Sequence, residues 1–394
     1  MLLKNSISRE NSRLLLKVTR EIFRKIPQYR YFRKSPIIEN KSLKVAILGC
    51  NGRTGRCLSL FLKQSTLIDE LALYDIKSIR GLAMELNCID TNSKVNYSES
   101  GESSFNEVLE NAKIVMITAG NSSYYTTTPP NDEILYENAL IMAKFIPEII
   151  KYCPDALIAM TTNPINSLIP MAAEMLKMAG ITNLNRLFGV TTINNIRANT
   201  LTADILGVDP ECVFVPIIGG NCPKTCVPLF SNAKPCNSFT HEEVGKLMFT
   251  LRNADHDFQQ KYPNVENSLH LMEGYAAARF CISLCKALRD QSEVVECAYV
   301  RSCVIPEVTY FASPLRLGPC GIQMHLGVPP LSDSECKLLQ VAVPELREAI
   351  KIGETLALGT DVVSSEICPP DPEPCTEQVY SSEASKSSPP SCNE

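Results

Sequence analysis

Three glycines at three-residue spacing, Gly49, Gly52 and Gly55, and an acid twenty positions further on, Asp75, offer the clearest chemistry in this 394-residue chain. The glycines lie in Gly49-Cys50-Asn51-Gly52-Arg53-Thr54-Gly55. Without a Cβ, the backbone there can turn sharply and lie close to a bulky anion. A helix starting at such a turn has unpaired N–H groups and a positive dipole end, which together seat a pyrophosphate. A carboxylate at the distance of Asp75 can accept hydrogen bonds from adenosine ribose hydroxyls, and its charge repels a 2′-phosphate. NAD, rather than NADP, is the dinucleotide this pattern implies. The spacing departs from G-x-G-x-x-G, so the glycines alone also fit a turn that only packs a helix on a sheet.

The surrounding residues supply elements that could position this chemistry. Lys44–Leu48 reads as a short buried strand, Leu58, Leu60, Phe61 and Leu62 mark a helix, and Leu71–Tyr74 forms a second strand ending in Asp75. Further strands are expected at 113–118 and 156–161, with helices at about 55–64, 79–88 and 132–152. Near-continuous apolar strands alternating with helices predict an α/β fold with a doubly wound parallel sheet. Ligands on such sheets bind beyond the carboxyl ends of the strands, here segments 49–55, 119–131 and 162–166. After about residue 188 the pattern changes. Strands at 213–218, 225–230, 294–300 and 310–317, with helices at about 241–260, 268–289 and 332–357, predict a second α+β domain.

Composition restricts the other possibilities. Apolar residues make up 45% and charged residues 21%, enough apolar side chains for a sizeable core. No apolar run reaches the length of a membrane span. Residues 1–41 hold eleven Lys/Arg against three Glu, and the rest of the chain is acidic. That distribution argues against a nucleic-acid partner. Arg13, Lys17, Arg20 and Arg24 can oppose an apolar face of Leu14–Leu16, Val18, Ile22 and Phe23. An Arg-rich amphipathic leader of this kind predicts a mitochondrial transit peptide, the alternative being a basic arm on a cytoplasmic protein. Residues 360–394 carry six prolines and seven acids against one lysine, which predicts an acidic disordered tail. The expected organisation is therefore a leader (1–41), a dinucleotide domain (42–187), an α+β domain (188–359) and a tail (360–394). Seventeen cysteines are scattered without a C-x-x-C, and the four histidines are far from the closest cysteine pairs in sequence. Free thiols are expected rather than disulfides or a metal site.

Between residues 44 and 358 the chain resembles the NAD-dependent malate dehydrogenases of mitochondrial type. The stretches that carry the likeness are KVAILGCNGRTG, ELALYDI, KIVMITAG, TTNPINS, NRLFGVTTINNIRAN, VPIIGG, AAARF, VVECAYV and PELREAIKIGE, in family order and spacing. The resemblance implies a Rossmann domain, a catalytic α+β domain, a homodimer, and reversible oxidation of L-malate to oxaloacetate. It also implies that Asn138 contacts NAD, that Asn163 lies near nicotinamide and substrate, and that Met272 covers the nicotinamide.

Hydride transfer to a ketone needs a proton donor, and the family supplies a His after the Gly-Gly pair. Here Gly219-Gly220 is followed by Asn221. The family Asp that orients that His stands three residues before an Arg; here Asn194 precedes Arg197. The family's two loop arginines are also replaced, with Tyr125 near the first position and Asn131 at the second. No Arg occurs between Arg80 and Arg186. An amide donates a hydrogen bond but exchanges no proton near neutrality. His270, close to Met272, is the other histidine considered as a proton donor. Arg53 stands where the family usually has Gly, and can crowd or pair with a pyrophosphate. The expectation is a dehydrogenase fold that binds NAD with impaired or absent catalysis, paired with itself or with a related subunit. The alternatives are an active enzyme on malate or another 2-hydroxy acid, Arg197 gripping a dicarboxylate or monocarboxylate, and a structural subunit of a larger assembly.

Overall fold

The computed structural model describes residues 42–99, 104–121, 132–236, 239–261, 270–291 and 293–358. The leader, the acidic tail, Tyr125 and Asn131 lie outside the described residues. Eleven strands form one sheet. Its first part is parallel, in the order β3 (Lys94–Glu99), β2 (Glu70–Asp75), β1 (Lys44–Leu48), β4 (Ile114–Ile117), β5 (Leu157–Met160) and β6 (Leu187–Val190). The sheet then continues antiparallel through β9 (Val295–Arg301), β10 (Tyr310–Gly318), β7 (Ile217–Gly219) and β8 (Cys226–Pro228), with β11 (Gly321–His325) also on β10. The direction of winding reverses between β1 and β4, where a doubly wound sheet leaves a crevice.

Helices cover both faces, and strand alternation shows why. On β1, Ala46 and Leu48 pack into one core with Ala139, Met142, Leu168 and Ile169 of α4 (Asp132–Tyr152) and α5 (Ile165–Met178). Val45 and Ile47 face the other core, with Leu58 and Leu62 of α1 (Arg53–Lys63). Phe280 and Leu284 join that second core from a later helix, His270–Leu288. The remaining helices are α2 (Arg80–Asn87), α3 (Ser104–Leu109), α6 (Thr192–Leu206), α7 (His241–Lys261) and α9 (Asp333–Leu358), with His270–Leu288 as α8. A small satellite core gathers Val213, Val215, Ile217, Phe230, Leu247 and Leu251.

The α/β reading and its long elements agree with the sequence. Strand β3 does not appear in the pattern because only Val95 of its six residues is buried; it is a polar edge strand. The strands expected at 213–218 and 225–230 shrink to Ile217–Gly219 and Cys226–Pro228. Pro216 and Pro228 lack the N–H that a longer ladder needs. No helix among the described residues is long and apolar enough to cross a membrane. Thirteen cysteines among these residues are free thiols, and Cys303 is an exception, being disulfide-bonded.

Candidate functional site

The glycine turn lies in the crevice between β1 and β4. Gly49 holds φ +94°, and a Cβ there would stand 2.4 Å from the Ala119 backbone nitrogen. A Cβ on Gly55 would stand 2.2 Å from the Gly49 carbonyl oxygen. Those two glycines are therefore required by the fold itself. Gly52 is different. Its nearest neighbour would be at 3.4 Å, an ordinary contact. It is the N-cap of α1, with no side-chain cap and no acid in the first turn. No acid in that turn offsets the positive potential of the helix end. The Arg56 guanidinium holds Asn51 at the turn, reaching its side-chain oxygen at 2.7 Å.

Asp75 is 8% exposed at the end of β2. Its carboxylate accepts the backbone N–H of Asn51 at 2.9 Å and that of Lys77 at 3.1 Å. Burial, aided by the Asp75 charge, pushes the neighbouring Cys50 thiol far up. An open helix N-terminus, a close-packed glycine turn and a fixed carboxylate suit the pyrophosphate and adenosine ribose of NAD.

Further along the carboxyl edge, asparagines gather. Asn194 and Arg197 lie one turn apart on α6, Asn194 buried and Arg197 half-buried. Asn221 follows Gly219-Gly220 in the turn between β7 and β8. The Asn194 amide donates to the backbone and side-chain oxygens of Asn221, each at 3.3 Å. The Asn221 amide in turn donates to Asn163 Oδ1 at 3.1 Å. Behind them, fully buried Asn138 donates to the Asn163 carbonyl at 2.7 Å and to the Asn121 carbonyl at 3.1 Å, and accepts the Asn121 N–H at 2.7 Å. Asn138 therefore ties strand-end backbone together with its polar atoms.

Asn166 was missed by the sequence reading. Its Oδ1 accepts the Asn221 N–H at 3.0 Å, its Nδ2 donates to Thr225 Oγ1 at 3.1 Å, and its carbonyl accepts the Tyr299 hydroxyl at 3.4 Å. The repeat of Asn on either side of Pro164, three residues apart, was the available signal. A Cβ on Gly220 would fall 2.8 Å from this side chain, so Gly-Gly before Asn221 makes room for the clamp.

Among the described residues, no acid or imidazole hydrogen-bonds Asn194 or Asn221. His270 is elsewhere: its Nδ1 lies 3.1 Å from Thr54 Oγ1 and 3.3 Å from Glu273 Oε2, between α1 and α8. Met272 sits half-buried in the same first turn of α8, and Arg53 is exposed at the start of α1. No group of His, Cys, Asp and Glu among the described residues could hold a metal ion. The amides can orient a ketone or hydroxyl oxygen by hydrogen bonding, and Arg197 can grip a carboxylate.

Comparison with known proteins matches both halves of this sheet. The lactate/malate dehydrogenase NAD binding domain matches residues 43–189, and the lactate/malate dehydrogenase alpha/beta C-terminal domain matches residues 191–357. Human mitochondrial malate dehydrogenase is 39% identical over 311 residues, covering 79% of this chain and 90% of that protein. The Caenorhabditis elegans mitochondrial malate dehydrogenase is 37% identical over 316 residues, covering 80% and 91%. Among solved structures, Cryptosporidium parvum malate dehydrogenase superposes with a TM-score of 0.68 at 22% identity, covering 80% of this chain and all of that one. Lactate dehydrogenase from Eimeria maxima with NADH and oxamate gives 0.67 at 23% identity, covering 84% and 100%.

Proposed function

The chain belongs to the lactate/malate dehydrogenase family, and on that premise we propose that it binds NAD(H) but oxidises malate very slowly or not at all. The observation that carries this reading is the amide chain Asn194–Asn221–Asn163 at the point where the reaction needs a proton donor. Bound NAD supplies the hydride acceptor. Gly49, Gly52 and Gly55 shape the pyrophosphate seat, Asp75 takes the ribose, and Met272 covers the nicotinamide from α8. Asn163, braced by Asn138, orients the substrate oxygen, and Arg197 holds one carboxylate. What is missing is an exchangeable proton, because Asn221 and Asn194 have none to give near neutrality. General acid–base help is worth roughly 10²–10⁴ in rate. The second carboxylate of malate also loses its partner, with Asn131 in place of a loop arginine; a lost buried charge-assisted contact costs about 2–5 kcal/mol.

The chain then acts as an NAD(H)-loaded partner subunit, pairing with itself or an active relative. The human and Caenorhabditis elegans relatives are mitochondrial, and the basic leader fits import to the matrix. Purified full-length protein should bind NADH in calorimetry and yield no malate-dependent NADH above background. The double variant Asn221→His/Asn194→Asp should then raise turnover by about 10²-fold or more. Turnover of malate by the unmodified chain at an ordinary dehydrogenase rate overturns the reading. Retention of Arg197 favours a second one, slow oxidation of a 2-hydroxy monocarboxylate, which a panel of 2-hydroxy acids tests on the same sample.

A further inference from the structure

The first turn of α8 sits on the start of α1, and a titratable cluster lies in that contact. A Cβ on Gly274 would stand 2.5 Å from the Cys57 Cβ and 3.0 Å from the Thr54 carbonyl oxygen, so the two helices meet almost at backbone distance. Thr54, the second residue of α1, donates its hydroxyl to Glu273 Oε2 at 2.9 Å. The same hydroxyl oxygen lies 3.1 Å from His270 Nδ1, and Glu273 Oε2 lies 3.3 Å from that nitrogen. With the hydroxyl hydrogen directed at Glu273, both neighbours of Nδ1 are acceptors. Nδ1 therefore carries a hydrogen, and Nε2 is the basic nitrogen. His270 is only 7% exposed, yet its Nε2 bonds to no described residue. We propose that Thr54, His270 and Glu273 form a proton-linked regulatory site that tightens the Gly49–Gly55 seat for NAD(H) when the imidazole takes up a proton. The inference rests on the NAD(H)-binding reading above and adds the regulation of that site.

Charge sets the direction. With a neutral imidazole the cluster carries the Glu273 negative charge alone; with Nε2 protonated it carries none. The change occurs against the glycine turn itself, to which Thr54 belongs. Removing a negative charge there favours an anionic pyrophosphate, and a bound pyrophosphate reciprocally favours the proton. By side-chain type, only an imidazole ordinarily changes charge in the neutral range. The described groups that surround His270 are of other kinds. On α1, Arg53 and Arg56 are exposed guanidinium groups, and the Cys57 thiol, pushed up by burial, donates to the Leu271 carbonyl at 3.4 Å. On α6 the charged residues are Arg197 and Asp204, and Tyr275 and Arg279 come next along α8. The strands β4 and β6, also packed on α8, carry no charged residue. On β9 and β10 the guanidinium groups are Arg301 and Arg316. Burial pushes the Cys297 thiol up to about 12 and raises the Tyr299 and Tyr310 phenols. Glu296, also raised by burial, bonds Ser283, which is about three helical turns along α8 from His270.

Calorimetric titration of the full chain with NADH at about pH 6 and about pH 8.5 tests this, with ADP-ribose as a second probe that has the pyrophosphate but no nicotinamide. Both ligands keep their pyrophosphate charge across that window, so a slope belongs to the protein. The expected result is a Kd for each that is roughly three- to tenfold lower at the acid end. In His270→Asn, whose amide can still donate to Thr54 and Glu273, the Kd should stay at the alkaline value to within about twofold at both pH values. Glu273→Gln removes the carboxylate and should bind NADH roughly threefold or more tighter than the unmodified chain at about pH 8.5, opposite in sign to a loss of packing. A Kd that does not change with pH in the unmodified chain overturns the inference, as does a slope that survives in folded His270→Asn. Where a thermal melt shows that variant unfolded, weaker NADH binding by Glu273→Gln at the alkaline end overturns it instead. Failure of both NADH and ADP-ribose to bind the unmodified chain overturns the reading on which the inference stands.

Discussion

The crevice at Gly49–Gly55 and the turn at Asn221 share the carboxyl edge of one sheet but are built on different principles. In the crevice, backbone is packed so tightly that two glycines admit no side chain, and a buried carboxylate accepts two backbone N–H bonds. Around Asn221, four asparagines pass hydrogen bonds between side chains and backbone, with no ionised group among them. Seating a dinucleotide depends on shape, helix-end potential and one fixed acid. Moving a proton depends on particular titratable atoms. On the reading proposed above, the first set of requirements stands in this chain while the second does not, so binding and turnover can be lost separately.

The sharpest way to break this contrast is to disturb the crevice. Gly55→Ala should destabilise the protein by about 3 kcal/mol or more, seen as a fall in Tm, because its Cβ meets the Gly49 carbonyl and the Cys50 backbone. Gly52→Ala is its counterpart: with only an ordinary contact at 3.4 Å, it should change stability by less than about 1 kcal/mol yet weaken NADH binding. If both variants lose stability equally, the crevice is shaped by the fold alone and Gly52 is not reserved for a ligand.

Asp75→Asn sharpens the same contrast at smaller cost. The amide would present its NH2 group to one of the Asn51 and Lys77 N–H donors and lose a charge-assisted bond worth about 1.5–3 kcal/mol, so NADH affinity should drop roughly ten- to a hundredfold while discrimination against NADPH shrinks. Titration of both dinucleotides checks it.

The smallest effect concerns the half that carries the amides, which does bury a carboxyl away from them. Glu296 of β9 accepts the Ser283 hydroxyl at 2.6 Å, and burial raises its pKa above the ordinary 4.5. A carboxyl raised in the folded state makes stability fall as pH climbs from the unfolded value through the folded one. Glu296→Gln should therefore raise neutral-pH stability by up to about 1 kcal/mol, with the gain vanishing below pH 4.5. Thermal melts at acid and neutral pH measure the difference.

Much of this was legible before coordinates. The strand–glycine–helix–strand–acid order of residues 44–75 is a local pattern, and local patterns survive folding. The identities of Asn221, Asn194 and Arg197 could be read directly, because side-chain chemistry is visible in a sequence. Their mutual bonding could not, since it joins residues from three separate segments. Asn166 escaped notice for the same reason, and so did the way the side chain of Asn138, expected to contact NAD, braces backbone at two strand ends. Strand β3 was hidden by its polarity, and the short β7–β8 hairpin by the prolines within its apolar runs.

The seam between β6 and β9 has one further consequence. It consists of two residue pairs, Gly189 with Tyr299 and Val190 with Ala298. A Cβ on Gly189 would lie 2.5 Å from Ile165 and 3.2 Å from Tyr299, so nothing larger than glycine fits there. Because that narrow join makes the parallel and antiparallel strands a single hydrogen-bonded array, the two halves should melt together in urea, in one cooperative transition rather than two.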